Sequence, residues 1–379
     1  MNRISRILQQ EIEKRMEPGK VMLLFGARRV GKTILIKAIS DGFVGKTLFL
    51  NGEDTNTHLL LRERTSANYK FLLQGVDLLI IDEAQNIPDI GMKLKLIVDE
   101  IPSIQVIASG SSSFDLLHLT GEPLVGRSKT FYLFPFSMEE MIQIENVAEQ
   151  FQNLEQKLIY GQYPQLLGMN SKEKEEYLLE VVNAYLLKDI LAIDGLRNSN
   201  KMYDLLRLVA FQVGNLVSYD ELGKQLGLSK NTVEKYLDLL SKVFVVYRLG
   251  SYSGNLRKEI AKSSKWYFYD NGIRNALINN FSPLSIRNDV GQLWESFVIS
   301  ERIKRKHFHL LNINHYFWRT YDQQEVDLLE IQNQQISAFE CKWSEKAAKI
   351  PTALAKAYPN AEFFEINKTN FIRFVLRIE

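Results

Sequence analysis

Cysteine is almost missing from this chain. The single Cys341 rules out an internal disulfide and a cysteine-rich zinc site. Long apolar runs are missing too: none approaches the roughly 20 residues a membrane-spanning helix needs, so no membrane partner is expected. Met1 to Arg15 form a charged amphipathic pattern without the apolar core of a secretory signal, and a cytoplasmic location is the expectation. Neither sign of charge dominates, with 47 Lys and Arg against 45 Asp and Glu and a formal net charge of +2. That balance argues neither for nor against nucleic acid, so any basic surface must be local. What remains is 45% hydrophobic and 24% charged, the balance of a soluble globular protein. At 379 residues the chain is too long for one core and long enough for two or three domains.

The stretch that organises the chain is Gly26-Ala27-Arg28-Arg29-Val30-Gly31-Lys32-Thr33. It follows the apolar run Val21 to Phe25, which has the pattern of a buried strand, and precedes a helical pattern from Ile34 to Ile39. Strand, glycine-bounded loop, Gly-Lys-Thr and helix make a phosphate-binding loop. The glycines let the backbone curl so that its N–H groups converge, and the helix N-terminus adds partial positive charge there. Residues 26 to 33 with Ile34 are the candidate nucleotide contacts, Lys32 toward the β- and γ-phosphates and Thr33 toward Mg²⁺. The second half of the site is Val76 to Glu83, an apolar strand ending in two carboxylates. Asp82 is placed to hold the Mg²⁺ shell and Glu83 to orient the attacking water. Gln105 to Ser113 has the pattern of a further strand ending in small polar residues, where Ser109 or Ser111 could bond the γ-phosphate or the water. Ser-Gly-Ser is also an ordinary turn and helix cap.

Helical and strand patterns alternate through this part of the chain. A helix is expected at Ile4 to Met16, a strand at Lys46 to Asn51, helices over 56–74 and Asp89 to Glu100, a short helix at Phe114 to Leu119 and a strand at Thr130 to Phe134. The expectation is an α/β fold with a parallel sheet and helices on both faces, whose ligands bind at the carboxyl ends of the strands. Arg127, in the loop before the last strand, could sense a γ-phosphate in its own or a neighbouring subunit, or be an ordinary surface arginine.

Residues 137–191 are mostly helical in pattern, broken at Tyr160 to Pro164. From Met202 an apolar helix precedes Ser218 to Ser229, a capped short helix with a glycine turn, and then a second helix from Lys230 to Val243. Helix, glycine turn, helix matches a helix-turn-helix. Phe244 to Leu249 and Lys265 to Asp270 then have the pattern of two strands of a wing, giving a winged-helix domain. Ser229, Lys230, Asn231, Thr232 and Lys235 would face outward, toward DNA phosphates or base edges. A packing module is an equal reading, since that helix has no arginines.

The last third carries a separate constellation. A helix over Gly291 to Ile299 bears Glu295. Strands are expected at His315 to Arg319, Glu325 to Ile331 and Gln335 to Trp343. Asp327, then Glu340-Cys341-Lys342, is the acid and acid-x-lysine arrangement of PD-(D/E)xK nucleases. Residues two apart on a strand share a face, so Glu340 and Lys342 point together. Glu295, Asp327 and Glu340 are the candidate metal ligands, and Lys342 would position or activate water. His307, His309 and His315, and the run Arg302 to His307, are expected on a solvated face.

Gly26 to Thr33, Ile81-Asp-Glu-Ala-Gln85, Ser109-Gly-Ser-Ser112 and Leu124-Val-Gly-Arg127 together resemble bacterial and archaeal AAA-type ATPases. These pair an N-terminal ATPase core with a C-terminal domain of uncharacterised function, itself similar to PD-(D/E)xK nucleases, which Glu325-Val-Asp327 and Glu340-Cys-Lys342 match. The resemblance covers nearly the whole chain. It implies ATP or ADP and Mg²⁺ as ligands, with Lys32, Thr33, Asp82 and Glu83 in the roles given above. It also implies Arg127 as the arginine-finger candidate, which would require a homo-oligomer. The expected division is an ATPase core over 1–135, a helical linker over 136–200, a winged helix over 201–285 and a nuclease-like domain over 286–379.

Overall fold

Five strands carry the first half of the chain: β1 (Val21–Phe25), β2 (Thr47–Asn51), β3 (Leu78–Asp82), β4 (Gln105–Gly110) and β5 (Ser128–Tyr132). Every residue of β1 and β3 is buried, as befits central strands of a parallel sheet covered on both faces. The computed structural model describes residues 4–111, 124–186, 199–253, 264–345 and 348–376. In it the five strands form one parallel sheet in the order β2-β3-β4-β1-β5. The helices pack on it through apolar stripes of period 3.6. Lys32–Gly42 buries Leu35, Ile36 and Ile39, and Ile90–Glu100 buries Ile90, Leu94, Ile97 and Val98. Helix Ile7–Glu13 buries Leu8 and Ile12, four residues apart. Because all strands run one way, their carboxyl ends share one edge: Phe25 pairs with Gly110 and Tyr132, and Asn51 with Asp82. The helix expected at Phe114 to Leu119, and Ser112 and Ser113, lie outside the described residues.

The chain divides into two compact units, residues 1–134 with 242–244 and 307–309, and residues 135–241, 245–306 and 310–379. The second unit holds a seven-stranded sheet. Its strands are β6 (Leu216–Val217), β7 (Val246–Ser251), β8 (Ser264–Phe268), β9 (Asn314–Arg319), β10 (Glu325–Gln332), β11 (Gln335–Cys341) and β12 (Glu362–Ile366). Their order is β12-β11-β10-β9-β7-β8-β6. β7 and β8 are antiparallel, while β7 pairs in parallel with β9. One sheet therefore runs through both the stretch with the wing pattern and the last third of the chain. β10 and β11 meet across Asn333 and Gln334, both at positive φ, the two-residue turn whose twist matches that of antiparallel strands. Trp318, Val326, Leu329, Ile336, Ala338 and Leu354 form a core beside this hairpin.

Helices Tyr219–Leu226 and Lys230–Lys242 precede β7. Ser218 caps the first through the Glu221 N–H, and Ser229 accepts from the Thr232 N–H at the start of the second. Val233, Tyr236, Leu237, Leu239 and Leu240 face inward; Lys230, Asn231 and Lys235 are exposed.

Helix Val290–Phe308 is longer than the sequence pattern suggests and swallows the basic run. Arg302 and Lys304 are buried in it, not solvated. Arg302 forms a two-pronged pair with Glu330, with Nε 2.7 Å from Oε1 and Nη2 2.5 Å from Oε2, and Lys304 lies 2.8 Å from Glu301. The His315 side chain is also buried, its Nε2 3.1 Å from Glu330 Oε1. Burial pushes its pKa below the ordinary value although Glu330 opposes this. In the first unit the His307 ring packs 5.1 Å from Tyr132 and 5.3 Å from Phe134. The expected solvated face is thus partly core, because buried acids neutralise its cations.

Candidate functional site

The loop after β1 is shaped by its glycines. Gly31 sits at φ +97° and Arg29 at φ +66°, a left-handed turn that glycine adopts at little cost. A Cβ on Gly26 would stand 2.2 Å from the Leu133 carbonyl oxygen, so the loop hugs the strand beside it. Arg6, buried, clamps the loop from beneath: Nη1 donates to the Val30 carbonyl at 2.8 Å and Nη2 to the Phe134 carbonyl at 2.7 Å. Sequence reasoning missed Arg6, which directly precedes helix Ile7–Glu13 and stands off its apolar stripe.

Lys32 Nζ donates to the carbonyls of Gly26 and Ala27 at 2.8 and 3.1 Å. It is therefore folded over the loop, where a phosphate would compete for its protons. Thr33 Oγ1 donates to Asp82 Oδ2 at 2.7 Å, which joins the two candidate Mg²⁺ ligands across the sheet edge. Ser109 Oγ donates to Asp82 Oδ1 and is wholly buried. Ser109 thus holds the Asp82 carboxylate. The Glu83 N–H points at Asp82 Oδ1 and Ser109 Oγ, at 3.2 and 3.3 Å. Glu83 itself lies at φ +50°, a strained backbone position of the kind that gathers at functional sites. Gln85 Nε2 donates to Glu83 Oε2 at 2.6 Å and lies 3.4 Å from Ser111 Oγ. Gln85 thereby holds the Glu83 carboxylate, and Ser111 meets Gln85 in turn. Lysine, hydroxyl and two carboxylates at one strand edge fit a nucleotide with its Mg²⁺: Lys32 would meet phosphate, and Thr33 and Asp82 the ion.

Arg127 is not part of that cluster. It precedes β5, where Val21 pairs with Ser128, so it sits at the amino ends of the strands, about 16 Å from the phosphate edge at ~3.3 Å per residue. There Nε lies 2.6 Å from Asp99 Oδ1, with both side chains half-exposed. It cannot serve a phosphate in its own unit, which leaves only a neighbouring subunit for that role.

The residues of the last third do converge, but around lysine. Lys342 Nζ lies 2.6 Å from Glu340 Oε1, so these two share a face as expected. Asp327 Oδ2 accepts from the Cys341 N–H at 2.8 Å. Asp327 stands where the β9–β10 register shifts, between Val326 and Leu329, a bulge that re-aims a side chain. Lys265, near the start of β8 and 2% exposed, reaches into the group. Its Nζ lies 3.1 Å from Glu295 Oε1, 2.5 Å from Glu325 Oε1 and 3.9 Å from Asp327 Oδ1. Tyr267 also donates to Glu295, at 2.5 Å, and Arg319 lies 3.1 Å from Glu325 Oε2. Burial raises the carboxyls of Glu295, Asp327 and Glu340, against the pull of Lys265 on the first two and Lys342 on the third. Burial would lower Lys265, but Glu295, Asp327 and Glu325 outweigh it and hold the ammonium above its usual value. Among the described residues no three His, Cys, Asp or Glu side chains are set to hold a metal ion. Glu295, Asp327 and Glu340, the expected metal ligands, thus stand together, with Lys265 on Glu295 Oε1, a backbone N–H on Asp327 Oδ2 and Lys342 on Glu340 Oε1. The signal for Lys265 was a lysine leading the apolar run Trp266-Tyr267-Phe268.

Residues 18–142 match a family model described as an AAA domain. Together with the loop geometry, this supports an AAA-type P-loop ATPase fold for that part of the chain. Residues 151–284 and 290–374 match two models described as domains of unknown function, DUF8612 and DUF4143. The chain is 25% identical over 374 residues to uncharacterized protein Rv2008c of Mycobacterium tuberculosis, covering 94% of this chain and 80% of that one. It is 22% identical to uncharacterized protein MJ1544 of Methanocaldococcus jannaschii, covering 86% and 75%. Among solved structures it is similar to a STAND protein with a tetratricopeptide repeat sensor from Pyrococcus horikoshii, at 12% identity and TM-score 0.27. That match covers 80% of this chain but only 46% of the other. A point variant of Thermotoga maritima RuvB matches at 17% identity and TM-score 0.30, covering 64% and 86%. At those values neither structure bears on function. No helix among the described residues is long and apolar enough to cross a membrane.

Proposed function

We propose that the chain is a Mg²⁺-dependent ATPase that couples its nucleotide state to nucleic-acid binding. One observation carries the hydrolysis: Thr33, Asp82, Ser109 and Glu83 form a single bonded network at the carboxyl edge of the sheet. When bound, Mg²⁺ supplies charge neutralisation on the phosphates. Lys32 would hold phosphate oxygens, Asp82 and Thr33 would hold the ion, and the Glu83 carboxylate would orient water for attack once Gln85 releases it. Arg127 serves a neighbouring subunit in a homo-oligomer. The nucleic-acid surface is the helix pair Tyr219–Leu226 and Lys230–Lys242, with β7 and β8 as the winged-helix strands. Its exposed Lys230, Asn231 and Lys235 support that reading.

The test measures phosphate release and gel retardation with duplex DNA across a salt series. DNA should raise the rate, and binding should weaken with salt. Replacing Lys230 and Lys235 together by Ala should lower the slope of log affinity against log salt by about 2, one for each phosphate no longer neutralised. A wild type that neither retards DNA nor responds to it would remove the nucleic-acid reading. The second reading then takes its place: an ATP-controlled switch that binds a protein partner, with a PD-(D/E)xK-like domain that is inactive. The lysine-filled carboxylate cluster favours this second reading.

A further inference from the structure

We propose that Lys265 is the built-in cation of the C-terminal carboxylate cluster, and that this site works without a divalent metal. This inference goes beyond the ATPase reading and does not depend on it. The Lys265 ammonium lies between Glu295 and Glu325 and faces Asp327, at 3.1, 2.5 and 3.9 Å. Mg²⁺ or Ca²⁺ would need the same oxygens at about 2.0–2.6 Å. An ion on Glu295 Oε1 and Glu325 Oε1 would have to displace the ammonium that already bonds both.

Each of the four acids also has a donor or cation other than Lys265 on it. Glu295 accepts from Tyr267, Glu325 from Arg319, Asp327 from the Cys341 N–H and Glu340 from Lys342. Of these four carboxylates, only Glu340 has an oxygen, Oε2, that is buried without a hydrogen bond among the described residues. Phe317 closes one side of the ammonium, its ring centroid 5.6 Å from Nζ. A tethered ammonium cannot dissociate, whereas a bound metal exchanges with solution. The cluster is then a clasp. It ties β8 to β10 and to helix Val290–Phe308, and it neutralises acids that would otherwise repel one another in a buried place. Metal-assisted cleavage of nucleic acid is not what these residues are arranged to do.

Mn²⁺ binding to the full, nucleotide-free chain, followed by electron paramagnetic resonance, tests this. Wild type and Asp327→Asn should bind the same amount of Mn²⁺. Lys265→Met, which keeps most of the side chain's length but not its charge, should gain a bound ion. Adding Asp327→Asn to Lys265→Met should remove that gain, which separates this site from the phosphate loop. Mn²⁺ bound by wild type and lost in Asp327→Asn overturns the proposal. So does a folded Lys265→Met that binds no more than wild type. If Lys265→Met fails to fold, the comparison of wild type with Asp327→Asn decides alone.

Discussion

Glu83→Gln should still bind ATP and should release phosphate about 10² to 10⁴ times more slowly than wild type. The substitution keeps the size of the side chain and removes the negative charge that orients water. Asp82, Thr33 and Lys32 keep their partners, because the bonds that hold them do not involve the Glu83 side chain. Lys32→Ala should act differently. It removes a charge-assisted donor to phosphate, which contributes about 1.5–3 kcal/mol, so affinity should fall roughly tenfold to a hundredfold. Nucleotide binding by fluorescence titration and phosphate release by a coupled assay separate the two effects. Equal turnover by Glu83→Gln and wild type would mean that water is oriented by another group. Gln85→Ala is the informative companion. If Gln85 restrains Glu83 through its 2.6 Å bond, removing it should change turnover and leave ATP affinity intact.

The second large effect is on stability. Arg302→Ala should destabilise the second unit by about 3–5 kcal/mol, because it strands a buried carboxylate. Burial pushes Glu330 up, but the two hydrogen bonds from Arg302 and the one from His315 overcome it and hold the acid at about 2. Arg302 also donates to the Phe374 carbonyl at 3.0 Å and lies 4.4 Å from the Phe374 ring centroid, so the variant forfeits packing as well. The pH dependence has a definite sign. A folded pKa below the unfolded one gives stability that is complete above the unfolded value of 4.5 and is lost as pH falls toward 2. Wild type should therefore weaken between those limits, and Arg302→Ala should show little of that dependence. The four tryptophans are Trp266, Trp294, Trp318 and Trp343. All lie in the second unit, so urea unfolding followed by their fluorescence reports on that unit alone. Arg302→Met with Glu330→Met should recover much of the stability, since two apolar side chains leave no charge stranded. A midpoint unchanged in Arg302→Ala would mean that water reaches Glu330.

The position of Arg302 shows where sequence reasoning stops. A run of basic residues on a helix is solvated unless acids come to meet it, and although Glu301 sits three residues before Lys304, Glu330 reaches Arg302 only in the fold. Arg127 shows the same limit. Its loop was legible, but its distance from the phosphate edge depends on the β1–β5 register.

The phosphate loop and the Asp82-Glu83 strand end were legible in the sequence alone. Their chemistry is local: a strand, a glycine-bounded turn and a helix start within a few residues, and parallel strands must present their carboxyl ends together. The central strands were likewise readable from continuous apolar runs, whereas the last strand runs from Ser128 to Tyr132, two residues before its expected place at Thr130 to Phe134. The wholly buried Ser109 was legible as a strand-end residue but not as a partner of Asp82, since that bond joins two strands. Lys265 was hidden for the strongest reason. It lies on a strand far in sequence from Glu295, Glu325 and Asp327. A lysine on an apolar strand acquires its meaning only when pairing of β7 with both β8 and β9 brings these acids to it. Spacing along the chain dictated the nucleotide loop; long-range strand pairing decided which cation the carboxylates hold.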